Sequence, residues 1–169
     1  MLRRHEVDLV ISPMTIVPSE NFHSLDLPEQ KYCLVCGKNH PLAERCRESG
    51  PALETQEILQ YRFVDILLSY RRHGTALLRN IVYPEFAAAR SAVRTYFFLP
   101  FVNAVEKTDL LMVVPEKTAD SFLDRAELTV LKTQARPVSH TPKMIWHDIT
   151  HVDPAMQWVR SMIYASAAT

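Results

Sequence analysis

Apolar residues in this chain come in short runs, and the runs alternate between strand-like and helix-like spacing. Residues 7–11 are apolar apart from Asp8 and mostly β-branched, and Ser12-Pro13 closes them. They read as a buried strand of a parallel sheet, which needs neighbours on both sides. Residues 29–35 and 63–68 predict two more strands. Residues 37–42 between them read as a turn, and the polar stretch 45–51 as a loop. Helical spacing around Ala76, Leu77 and Ile81 stops at Pro84.

Further on, residues 91–94 predict a short strand, and Thr95 stands where a helix N-cap belongs. The helix expected after it carries Phe97, Phe98, Phe101, Val102 and Val105. Leu110-Leu111-Met112-Val113-Val114, between Asp109 and Pro115, is a second buried strand. A helix over 116–123 and strands over 128–131 and 144–146 follow. Asp153-Pro154 then opens a last helix, with Asp at N-cap and Pro at the first helical position. Its apolar face is Met156, Trp158, Val159, Met162 and Ile163. Strands alternating with helices predict an α/β fold with a largely parallel sheet.

Composition narrows the class. An apolar content of 47% with 22% charged residues in 169 residues fits a packed fold of one domain or two small lobes. A net formal charge of zero argues against holding nucleic acid through phosphate contacts. No run approaches the ~18 apolar residues of a membrane span, and the N-terminus lacks the apolar region of an export signal. A cytoplasmic protein is expected, and three cysteines, an odd number, suit reduced thiols. Three glycines cannot build a Gly-rich phosphate loop, and no nucleophile-base set or metalloprotease motif occurs. An enzyme is not expected, nor is a cofactor.

Three segments together resemble the effector-binding domain of LysR-type transcriptional regulators. The first runs from His5-Glu6-Val7-Asp8-Leu9-Val10-Ile11 through residues 25–36 to Asn39-His40-Pro41-Leu42-Ala43. The second is Leu99-Pro100 with Thr108-Asp109-Leu110 and Pro115-Glu116. The third is Trp146-His147 with Asp153-Pro154-Ala155-Met156-Gln157-Trp158-Val159-Arg160. This ending is similar to that of the branch holding the nodulation and naphthalene/salicylate regulators. Residues 71–89 match the family poorly.

The resemblance implies a two-lobed fold like a type-2 periplasmic binding protein, with two crossing strands. Lobe one would be residues 1–35 and 139–169, and lobe two residues 36–138. The first lobe would be incomplete, and the DNA-binding helix-turn-helix absent, so DNA would be reached only through a missing N-terminal part. The implied function is effector sensing and oligomerisation: a small aromatic ligand in the interlobe cleft, and a homo-oligomeric partner.

Each candidate site residue has a plainer reading beside it. Thr95, with Tyr96 and Phe97, would meet a carboxylate or phenol of the effector, or be a simple cap with core aromatics. Ser12, Pro13 and Met14 would face the cleft or merely end a strand. In the loop of Tyr70, Arg71, Arg72 and His73, an arginine would pair with a carboxylate or stay solvated. Trp146 and His147 would border the cleft or pack a hinge. Cys33, Cys36, His40 and Cys46 approach a zinc-knuckle spacing, so a small zinc-binding structural or regulatory protein is the rival reading. Against it, Cys33 and Cys36 are an odd number of positions apart on a predicted strand and would point to opposite faces. A third reading is a truncated remnant that senses nothing.

Overall fold

A computed structural model describes residues 6–12, 20–49, 52–70, 74–97, 99–123 and 127–168. The chain divides into two compact units, Met1–Gln30 with His140–Thr169, and Lys31–Ser139. Residues 31–35, grouped with the first lobe from sequence, lie in the second unit.

The first unit is a three-stranded sheet and one helix. Strands β1 (Leu9–Ser12) and β2 (Phe22–Asp26) flank β9 (Lys143–His147). Both pair with it antiparallel, with Leu9 and His23 opposite Trp146. The parallel buried strand expected at residues 7–11 is therefore an antiparallel edge strand, and Ile11 is 52% exposed. A short apolar run has the same composition in either direction, so only its neighbour decides the orientation. Strand β2 was not separated out from sequence. A 3-10 turn, Asp148–Thr150, leads to α6 (Pro154–Ala168), where Met156 N–H donates to Asp153 Oδ1 at 2.8 Å, the expected N-cap. Leu27, Met144 and Trp146 form the unit's core with Leu9, Ile163 and Ala167. The chain leaves and re-enters this unit side by side: Gln30 N–H donates to His140 O, and Leu27 N–H to Pro142 O, each at 2.8 Å.

The second unit is built on β3 (Tyr32–Gly37), β4 (Arg62–Tyr70), β5 (Gly74–Leu77), β6 (Ser91–Thr95), β7 (Leu110–Pro115) and β8 (Leu128–Leu131). The sheet is mixed. β4 runs parallel to β6 and β7, whereas β3 is antiparallel to β7 and β8, and β5 to β4. The expectation of a largely parallel sheet holds only for β6-β4-β7.

Helices cover both faces, which explains the unbroken apolar runs. Leu34, Cys36, Phe63, Leu111 and Val113 enter one core, and Cys33, Val35, Val64, Met112 and Val114 the other. The helices are α1 (Pro41–Ser49), α2 (Thr55–Ile58), α3 (Leu78–Val82), α4 (Val102–Glu106) and α5 (Glu116–Leu123). The loop expected at 45–51 is thus the second half of α1 up to Ser49, with Gly50 and Pro51 outside the described residues. Leu42, Ala43 and Cys46 make a narrow apolar stripe packed on the core, and the charged residues between them face water.

Gly37 ends β3 against α4. A Cβ there would lie 2.5 Å from Glu106 O and 3.2 Å from Val105 O, both backbone atoms that cannot swing away. Gly37→Ala is expected to destabilise the second unit by about 1–3 kcal/mol, the usual cost of forcing atoms into a filled space. Urea unfolding checks this; an unchanged midpoint would show that α4 shifts freely.

Candidate functional site

In sheets with parallel strands, ligands gather outside the carboxyl ends of those strands. In the second unit, β6 pairs with β4 in parallel, with Val64 opposite Val93 and Ile66 opposite Thr95. β7 lies parallel on β4 as well, with Val64 opposite Met112. The carboxyl end of β6 is therefore Thr95, and the chain emerges there as Tyr96 and Phe97, 56% and 70% exposed, with Leu99 59% exposed just beyond. Three large apolar side chains are thus exposed within four positions, which makes this end a candidate contact surface.

Thr95 does not cap a helix, contrary to the sequence reading. Its Oγ1 lies 3.1 Å from both Phe97 N and Phe97 O, so the hydroxyl closes a tight turn on the residue two places on. The helix α4 begins only at Val102, after a 3-10 turn at Leu99–Phe101. Pro100 sits in that turn and delays the α-helix, and Phe97 is left in water instead of on a helix face. The turn still leaves useful chemistry. A threonine hydroxyl has one proton and two lone pairs. It can keep accepting from Phe97 N–H while turning its own proton from Phe97 O to an incoming oxygen.

The other sequence candidates lie on other elements or outside the described residues. Tyr70 ends β4 opposite Gly74 in the β4–β5 hairpin. Ser12 ends β1 in the first unit, opposite Lys143. Trp146 is buried in the first unit with Arg160 over its ring. Pro13, Met14, Arg72 and His73 lie outside the described residues. Thr95, Tyr96 and Phe97 are consecutive at the end of β6, and Leu99 is exposed two positions further on.

What anchors this end of the sheet is a buried ion pair that the sequence reading missed. Arg79 donates from Nε to Asp65 Oδ1 at 2.7 Å and from Nη2 to Asp65 Oδ2 at 2.9 Å. Its side chain is 2% exposed and that of Asp65 is 0% exposed. Arg79 also donates to the carbonyls of Phe86 and Ala89, and Ser91 Oγ donates to Asp65 Oδ2 at 2.5 Å. Arg79 thus ties β4, the 3-10 turn at Pro84–Phe86 and the approach to β6 into one piece. The signal was present: Asp65 interrupts an apolar strand, and a carboxylate there demands a cation. Its partner lies in the stretch of the chain that least resembles the family.

The zinc alternative is not supported. Cys33 and Cys36 enter different cores on opposite faces of β3, as the strand period requires. Burial first, then Glu116 and Asp120, pushes the Cys33 thiol up to about 12; burial and then Cys46 does the same for Cys36. Buried His40 is engaged as well: Nδ1 accepts from Leu42 N–H at 3.0 Å, and Nε2 lies 3.3 Å from Asp109 O. Burial holds its pKa below the usual value. Among the described residues, no group of three or more His, Cys, Asp or Glu side chains is placed to hold a metal ion.

A family model described as the LysR substrate binding domain matches residues 1–168. The chain belongs to the LysR substrate-binding domain family. This is a family of ligand-binding domains of transcriptional regulators, and not a class of enzyme. Among curated relatives, the HTH-type transcriptional regulator SyrM of Rhizobium etli is 28% identical over 86 residues, 51% of this chain and 26% of that protein. The HTH-type transcriptional activator NahR of Pseudomonas putida is 23% identical over 165 residues, 96% of this chain and 51% of that protein. This LysR domain therefore spans about half the length of NahR, and the half of it that matches SyrM covers about a quarter of that protein. Its fold is that of the CcmR regulatory domain of Synechocystis PCC6803, solved in complex with 2-PG. There the TM-score is 0.70 at 15% identity, over 98% of this chain and 76% of that one. Among the described residues, no helix is long and apolar enough to cross a membrane.

Proposed function

We propose that this LysR substrate-binding domain senses a small aromatic acid or phenol, and that the carboxyl end of β6 supplies part of its site. The observation that carries the reading is the Thr95 hydroxyl set beside exposed Tyr96 and Phe97 at the end of a parallel strand. An aromatic ring would lie on the two side chains, and its oxygen would take the proton of Thr95. CcmR, of the same fold, was solved with a small ligand, and the relatives are transcriptional regulators, which supports a regulatory ligand over a substrate. In a regulator of the NahR kind, such a ligand acts only by binding one arrangement of the protein better than another.

Calorimetry with benzoate and 4-hydroxybenzoate tests the proposal. Thr95→Val, which keeps the shape and removes the hydroxyl, is expected to weaken binding about ten- to a hundredfold. That corresponds to losing one hydrogen bond to a charged group. Equal affinity of variant and parent would remove Thr95 from the site, and heat-silent titrations with both compounds would sink the ligand class.

Self-association belongs to the same proposal. The edge strand β1 leaves Ile11 half in water, and α6 exposes Trp158 and Met162, 64% and 52%. A second copy of the chain is the economical cover for such a surface. Sedimentation at low micromolar concentration should give a dimer or larger species; a compact monomer would remove this part.

A further inference from the structure

Three of the seven histidines, His23, His147 and His151, meet at one end of the three-stranded sheet, where β9 passes into α6. The rings of His23 and His151 stack, with centroids 3.7 Å apart and planes 11° apart. The Trp146 ring is nearly parallel to that of His151, at 6°, and its indole N–H donates to His151 Nδ1 at 3.3 Å. His147 Nδ1 accepts from Ile149 N–H at 3.2 Å and so caps the 3-10 turn Asp148–Thr150. His23 Nε2 lies 2.6 Å from Asp148 Oδ1. On the far side, the Arg160 guanidinium lies 4.5 Å from the Trp146 ring centre and donates to the carbonyls of Thr150 and His151. The turn, the tryptophan and the middle of α6 are thus one connected piece.

The proton requirements of these rings differ. His147 and His151 each use Nδ1 as an acceptor, which only the neutral ring can do. His23 faces a carboxylate, which suits its charged form. We propose that His23, Trp146, His147 and His151 form a proton-operated latch. The latch holds the turn Asp148–Thr150 and the start of α6 in place while His147 and His151 are neutral, and it opens when they take up protons. A proton on His151 Nδ1 sets two N–H groups against each other and places a second cation on the face of His23. A proton on His147 Nδ1 uncaps the turn.

Among the described residues, the nearby charges bear on how readily these rings take up protons, and a proton on Nδ1 removes the acceptor whatever their balance. On β2 and β9, Asp26 and Lys143 pair with each other at the far end of the sheet. Asp148 is already taken by His23, whose hydrogen bond, together with the charges of the three histidines, holds this carboxyl below its usual range. Asp148 therefore stays ionised through the pH interval in which histidine changes charge. Asp153 is occupied as the N-cap of α6, Arg160 adds a further positive charge, and two acidic residues stand on the neighbouring segments: Asp8 before Leu9, which pairs with Trp146, and Glu20 before Asn21, whose carbonyl accepts from Asp148 N–H.

The test is amide hydrogen exchange across α6, with the Trp146 indole ¹⁵N resonance, on the full chain between pH 8 and 5. Exchange rates are corrected for their intrinsic pH dependence. Protection at Met156 and Gln157 is expected to fall about tenfold or more on acidification, with the same midpoint as the movement of the indole resonance. The variant His147→Asn with His151→Gln keeps an acceptor at each place and cannot titrate, so its protection should stay level. Flat protection in the parent chain overturns the latch, and so do unlike midpoints or the same loss in the variant. If the variant is unfolded at pH 7.5 by circular dichroism, the parent profile decides alone.

Discussion

Arg79→Ala is expected to destabilise the second unit by about 3–5 kcal/mol, the largest effect of any single replacement considered for that unit. The substitution leaves Asp65, whose side chain is 0% exposed, as an uncompensated charge between β4 and β6. It also removes the Arg79 donor from the carbonyl of Ala89 and from that of Phe86, which keeps the Ala89 N–H at 2.9 Å. Ser91 remains bonded to the carboxylate but carries no charge to balance it. The pair itself contributes far less than this figure, because most of the loss is the cost of stranding the partner. Replacing both residues by apolar ones, Asp65→Leu with Arg79→Met, should therefore recover a large part of the stability. Urea unfolding of the two single variants and the double variant separates the contributions. A loss under 1 kcal/mol for Arg79→Ala would mean that water reaches Asp65 and that the clamp is not closed.

In the first unit, Arg160→Ala is expected to cost about 2–4 kcal/mol. Its guanidinium makes two charge-assisted hydrogen bonds, 3.1 Å to Thr150 O and 2.8 Å to His151 O, and its carbon stands over the Trp146 ring, 4.5 Å from the centre. Gln157 Nε2 also reaches His151 O, at 3.3 Å, so that carbonyl keeps a donor, whereas Thr150 O would depend on water. Arg160→Lys should recover only a minor part, because an ammonium cannot span two carbonyls while stacking on a ring. Hydrogen exchange at β9 and α6 reads the effect. Full rescue by lysine would show that charge alone, and not the planar fork, holds the turn.

How much of this was legible beforehand varies along the chain, and the differences follow from local chemistry. Leu110-Leu111-Met112-Val113-Val114 could hardly be anything but a buried strand between Asp109 and Pro115, and it is β7. Asp153-Pro154 announces a helix start through one side chain and one ring, and the Asp153 cap is there. Strand β8 and helix α5 fall at the predicted positions. These elements are specified by residues within a few positions of each other. Thr95 misled because a hydroxyl two residues before a possible helix serves an isolated turn equally well, and Pro100 tipped the outcome.

The apolar rhythm and the three family-like segments were enough to establish an α/β chain of the LysR substrate-binding domain kind, since periodicity and turn residues act locally. Strand direction was not legible, because the sequence of β1 is compatible with a partner on either side and in either sense until β9 comes to lie beside it. Nor were the two clusters that carry the strongest predictions. Asp65 and Arg79 are brought together by the packing of α3 on β4, and His23 reaches His151 only because β2 and β9 share a register. Desolvation and ring stacking depend on what else is within a few ångströms, and that is a property of the folded chain rather than of neighbours in sequence.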